Sequence, residues 1–283
     1  MKNIPGFAAR TAAVWLALLV GGAAGGMLLP LPPVSVPPSP EPLGASQAFL
    51  IVSGAGAIVM AALASRLTGS RAARFATLLA TFFMVETVLA LFEAVVFGAS
   101  LQMPPDFLLR VAGGNLIKAA LGAAAAAALF RPAAVQSAQI EGLHWKVPAI
   151  AALYVFAYFA AGFLVAWQSA AIRDFYGEGG LVPPLGLLAG IQVVRGLMWA
   201  AVAVLLFSRL AGSTAAKALR TGAAFALPMG MSLLFPSGFM PWPIRSVHMI
   251  EVMSSNFLFG VAAAMLLGVR SSRRQAQQVP AQA

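Results

Sequence analysis

A chain of 283 residues that is 60% hydrophobic and only 9% charged cannot cover itself as a water-soluble fold, in which charged residues make up about a quarter. Its formal net charge of +10 would suggest nucleic acid in a soluble protein, but the basic residues sit at the ends of apolar runs. There they set membrane orientation and meet anionic headgroups, which excludes nucleic acid as a partner and makes the lipid bilayer the expected one. With no cysteine, disulfides, thiol chemistry and cysteine-based metal centres are excluded too.

Apolar runs of about 20 residues cross a hydrocarbon core as helices, and unbroken runs rule out the alternation of a barrel. Eight such runs are predicted, at 8–29, 46–66, 75–98, 108–130, 147–171, 185–208, 215–236 and 244–269. The fold class expected is all-α: a polytopic helical membrane protein of eight spans. The first run competes with a cleaved signal peptide, since Lys2 and Arg10 precede it; its length and the lack of a clear A-x-A site favour a retained helix. Pro30 to Pro42 reads as an extended loop, and 271–283 as a short polar tail.

Thirteen of the 18 Lys and Arg residues fall on one set of span ends, against Arg110, Arg173 and Arg245 on the other; Lys118 and Arg195 lie inside spans. Basic ends face the cytoplasm. Both termini are therefore expected inside, in a plasma (inner) membrane protein.

The segment SRLTGSRAAR at 65–74 returns as SRLAGSTAAK at 208–217. Pro42-Leu43-Gly44 similarly matches Pro184-Leu185-Gly186, and Asn115 falls opposite Asn256. Two four-helix repeats follow, 1–135 and 136–270. Four crossings are an even number, so the copies run in parallel, related by an axis along the membrane normal.

Ionisable groups in hydrocarbon need a partner, water or a function. A rise of about 1.5 Å per residue puts Glu86, Lys118, Arg195 and Asn256 near the midplane. Asn115 and Glu251 come out nearer the outside, and Glu93 one to two turns below the outer surface. With His248, these eight form a candidate ligand-binding cluster. Two ion pairs are expected as its structural alternative: Glu86 with Lys118 or Arg195, and Glu251 with Arg195. His248-x-x-Glu251, with Glu93, has the spacing of metal ligands, but one histidine on that side and no cysteine argue against a metal; no cofactor is expected. Tyr154, Tyr158, Trp167 and Arg173 to Glu178 read as an interfacial aromatic belt, or as an outer lid hinged at Gly177, Gly179 and Gly180.

No H-E-x-x-H, G-x-S-x-G, P-loop or dinucleotide-binding glycine motif occurs. Three readings remain. The first is a small permease-like transporter of a solute or ion with a polar midplane site, the second a structural or accessory subunit. The third is an enzyme acting on a lipid-linked substrate.

Overall fold

The computed structural model describes residues 4–32, 40–98, 103–104, 106–134, 140–177 and 183–269. Most of the proline-rich loop, Glu178 to Gly180 and the tail lie outside the described residues. The described chain is helical throughout, with no strand. Its helices are α1 (Ile4–Leu28), α2 (Ala45–Ala64), α3 (Arg71–Phe83), α4 (Leu89–Gly98), α5 (Phe107–Leu129), α6 (Leu143–Leu164), α7 (Ala170–Gly177), α8 (Leu185–Arg209), α9 (Thr214–Met231) and α10 (Trp242–Gly268).

Seven of these are long and apolar enough to cross a membrane, with α3 and α4 acting as one. This is an integral, multi-pass helical architecture. The expected seventh span does not meet that standard: α9 has 18 residues and carries Lys217 and Arg220, which lower its hydropathy. Two other boundaries differ from expectation. A π-helical turn, Met84–Val88, joins α3 to α4 and contains Glu86. The fifth span ends as a helix at Leu164, where a 3-10 turn, Ala166–Gln168, redirects the chain into α7.

Close packing rests on small residues, as it must where lipid supplies no hydrophobic drive between helices. A Cβ on Gly25 would stand 2.7 Å from the Gly114 carbonyl, so α1 and α5 touch backbone to backbone. Gly196 of α8 meets the Ala151 carbonyl of α6 at 2.7 Å in the same sense, and Gly222 of α9 meets that of Phe257 on α10 at 2.8 Å. Between these pairs Trp199, Phe225, Phe259 and Tyr154 interlock, with Trp199 and Phe225 centroids 4.4 Å apart and Tyr154 and Phe259 5.2 Å apart.

The two SRL segments meet. Leu67 and Leu210 form an antiparallel bridge, with the Thr68 amide donating to the Arg209 carbonyl at 2.9 Å and the Ala211 amide donating to that of Arg66 at 2.8 Å. Gly69 and Gly212 both take positive φ, 94° and 124°, which lets each segment turn into a helix. Ser70 caps α3 by accepting from the Ala73 amide, and Ser213 caps α9 by accepting from the Ala216 amide.

Helix C-termini at this end of the bundle are closed by buried cations, the sign that complements the exposed carbonyls. Arg74 donates to the Phe130 carbonyl after α5, Lys217 to that of Phe207 on α8 at 3.0 Å, and Lys146 to those of Leu267 and Val269 at the end of α10, at 3.0 and 2.6 Å.

At the opposite end Arg245, 2% exposed, gathers the chain. It donates to the carbonyls of Leu233 and Met240, both at 2.9 Å, and to that of Phe235, and it pairs with Glu41 ahead of α2.

Candidate functional site: two separate polar centres

The eight candidate residues do not form one cluster. Glu86 and Lys118 pair directly inside the bundle, as expected, with side chains only 10% and 9% exposed. The π turn carries Glu86, and α5 supplies Lys118, whose stem lies along α1: a Cβ on Gly22 would be 3.6 Å from Lys118 Cδ. Beside the pair is a cavity of about 10 Å³ lined by Ser53, Gly56, Phe82 and Pro228, room for one water. The Ser53 hydroxyl is buried with no hydrogen-bond partner among the described residues. The space beside the pair is no larger than one water, and both side chains are nearly buried.

The second centre lies in the other half of the bundle's depth, toward Arg245. The expected pair of Arg195 with Glu251 does not form; Arg195 Nη1 lies instead 2.7 Å from Glu93 Oε2 on α4. Direction explains the correction. A helical side chain leans toward the N-terminus of its own helix, so Arg195 reaches up α8 to the level of Glu93. On the way its Nη1 donates to Gln192 Oε1 at 2.9 Å, and its guanidinium sits 5.6 Å from the centre of the Tyr154 ring. The Tyr158 hydroxyl donates to Glu93 Oε1 at 2.9 Å, and Gln192 Nε2 lies 3.5 Å from the same oxygen.

Glu251 pairs within its own helix, one turn on from His248, with Nδ1 and Oε2 2.7 Å apart. A carboxylate only accepts, so Nδ1 carries the proton, and in the neutral ring Nε2 accepts from the Tyr176 hydroxyl at 3.1 Å. Tyr176 belongs to α7, which this bond ties to α10. Burial pushes the Tyr176 phenol up from its ordinary value, and the Glu93 and Glu251 carboxylates push the same way, so it stays a protonated donor.

Glu93 stays with Arg195 and Tyr158. Among the described residues no group of three His, Asp or Glu side chains converges, so the His248–Glu251 spacing lacks the third ligand the metal reading required. Asn256 donates to the Met229 sulfur at 3.4 Å, and Asn115 has no side-chain hydrogen bond among those described. Neither touches an ion pair.

Tyr154 and Tyr158 are interior polar-network residues and not belt anchors: Tyr154 is 4% exposed, and Tyr158 is bonded to Glu93. Gln192, fully buried, was missed altogether. Its i, i+3 spacing to Arg195 was the available signal.

The centre around Glu93 brings two carboxyl groups, Glu93 and Glu251, together with one guanidinium, Arg195, and the His248 ring. Side-chain exposure in this centre is 27% for Glu93, 12% for Glu251 and 20% for His248, against 4% for Arg195. Arg195 is the fixed element and Glu93 the more exposed one. Comparison of the chain with protein-family models, curated proteins and solved structures finds no match.

Proposed function

We propose that this multi-pass membrane protein is a small permease-like transporter whose polar site is the centre around Glu93, and that the site takes a small cation or a proton. One observation carries the reading: a carboxylate with its side chain 27% exposed at bonding distance from a buried arginine, in a centre that holds two carboxyl groups and one guanidinium. Two carboxyl groups beside one guanidinium suit a cation, and the Tyr158 and Tyr176 hydroxyls can turn oxygen lone pairs toward it. The nearly buried Glu86–Lys118 pair is read as a packing device, the role assigned to buried charge in the accessory-subunit reading. The His248–Glu251–Tyr176 chain has the proton path an enzyme would use, but the neighbouring Ser254 and Ser255 hydroxyls donate to backbone carbonyls of their own helix and not to His248.

The proposal includes the architecture that places the site. α9 is the remaining span: its 18 residues give about 27 Å of rise, from the Leu67–Leu210 bridge to the Leu233 carbonyl held by Arg245. Residues 1–135 and 136–270 are parallel repeats. The bridge supports this, because shifting each member of one amide–carbonyl pair, Thr68 to Arg209, by one common offset yields the other, Ala211 to Arg66. The site then lies on the seam, with Glu93 from the first repeat and Arg195 from the second. The bridge end, rich in Lys and Arg, is cytoplasmic, so Glu93 faces outward.

Reporter fusions at Thr68, Thr214 and the carboxy terminus should read inside and one at Ser39 outside; an inside signal from Ser39 contradicts the orientation. For the function itself, the protein is reconstituted into liposomes holding a pH-sensitive dye, and Na⁺, K⁺ and methylammonium gradients are imposed. The expected result is a flux above empty liposomes that Glu93→Gln lowers at least about tenfold, the scale of one charged contact. Wild-type flux equal to that of empty liposomes for every ion and for protons, or full flux in Glu93→Gln, overturns the reading.

A further inference from the structure

The basic end of the bundle is charged far beyond its own needs. It carries 13 Lys and Arg residues, and of the eight acidic residues only Glu141 falls at that end in sequence. Some of the cations are accounted for internally: Arg74, Lys146 and Lys217 close helix C-termini, and Arg10 lies over the Phe130 ring at 6.0 Å.

Five described arginines at this end, Arg66, Arg71, Arg131, Arg209 and Arg220, close no neighbouring helix, and three of them, Arg66, Arg209 and Arg220, lie about the junction of the two SRL segments. The bridge between Leu67 and Leu210 places Arg66 and Arg209 on facing strands of chain, each giving its carbonyl to the other segment. The side chain of Arg209 folds over Gly69, with Nη1 3.5 Å from where a Cβ would stand. Arg220, on the second turn of α9, donates to its own helix at the Ala216 carbonyl at 2.9 Å and is close enough to Arg66 for the two charges to repel. Arg66 and Arg209 are exposed, and among the described residues none of the three has a carboxylate within 4.0 Å. Like charges brought near one another by the backbone, with no carboxylate from the described residues beside them, favour an anion from outside.

We propose that Arg66, Arg209 and Arg220 form a binding site for the phosphate of an anionic membrane lipid at the junction of the two SRL segments. Guanidinium groups present planar paired donors that match phosphate oxygens, and the site opens at the level where helices end and headgroups lie. A headgroup seated there would neutralise the repulsion across the bridge and tie the two segments together.

The test uses the full chain in a neutral detergent, with melting followed as lipid is added. Phosphatidylglycerol is expected to raise the melting temperature saturably, while phosphatidylcholine and inorganic phosphate at equal concentration do not. Each arginine near an anionic surface contributes about fivefold in affinity. Arg66→Gln, Arg209→Gln and Arg220→Gln should therefore each weaken the response about fivefold, and the triple variant about 100-fold. Arg173→Gln at the other end should change nothing. If the triple variant does not fold, the three singles carry the test. An equal shift with phosphatidylcholine, an equal shift with inorganic phosphate alone, or variants that respond like wild type would each overturn the proposal.

Discussion

Lys118→Met should destabilise the protein in detergent by about 3–4 kcal/mol, and adding Glu86→Gln to it should restore most of that loss. The pair is nearly buried, with side chains 9% and 10% exposed, so either charge left without the other has little water to turn to. A carboxylate left alone there keeps its desolvation cost and loses the partner that offset it. Removing both charges leaves neither to desolvate, and such replacements are often close to neutral. Melting temperatures and denaturant midpoints of wild type, the two singles and the double decide it. A Glu86→Gln or Lys118→Met protein as stable as wild type contradicts the description of this pair as buried and mutually dependent.

Arg195→Met should cost about 3–5 kcal/mol, while Glu93→Gln should cost clearly less. The asymmetry comes from burial. Arg195, 3% exposed, holds Glu93 and Gln192 and lies against the Tyr154 ring, so its loss strands two acceptors. Glu93 is less buried, with its side chain 27% exposed, and glutamine keeps an oxygen for the Tyr158 hydroxyl. Arg195→Lys should recover little, because a single ammonium cannot reach Glu93 and Gln192 in the forked geometry the guanidinium uses. The pairing of effects matters for function: Glu93→Gln should stay folded and lose flux, whereas Arg195→Met should lose both. Equal destabilisation by the two changes would mean that Glu93 is as buried as Glu86.

What the sequence made legible follows from what the bilayer forces on it. Long apolar runs with basic ends have one physical outcome, so the multi-pass helical architecture was readable from composition and run length alone. Depth along a helix was readable too, because rise per residue is fixed, and it brought Glu86 to Lys118. Rotation and side-chain lean were not. The partner of Arg195 depends on which way its side chain runs along α8, and counting residues from span ends assigned it to Glu251 instead of Glu93. Gln192 went unnoticed because a neutral side chain one turn from a charge looks unremarkable until the charge is seen to need it. Nor could the π turn be foreseen: nothing in Met84 to Val88 marks the extra residue that sets the facing of Glu86. The repeated SRL segments were visible as text, but that they touch each other is a tertiary fact.

The central claim is that the polar centre open to outside water is the one around Glu93, and that the midplane pair is closed. The absence of cysteine makes this directly measurable with single thiols in the membrane. Two glycines accept one without a clash. A Cβ on Gly162 would stand 3.8 Å from Glu251 Oε1, and one on Gly56, which lines the Glu86 cavity, would stand 3.6 Å from Leu18 and 3.9 Å from Phe82. Intact cells or right-side-out vesicles carrying Gly162→Cys or Gly56→Cys are exposed to a charged, membrane-impermeant methanethiosulfonate. The account predicts modification of Gly162→Cys from the outside, and none of Gly56→Cys until the protein is unfolded. Rapid modification of Gly56→Cys, or protection of Gly162→Cys in the folded protein, would contradict it.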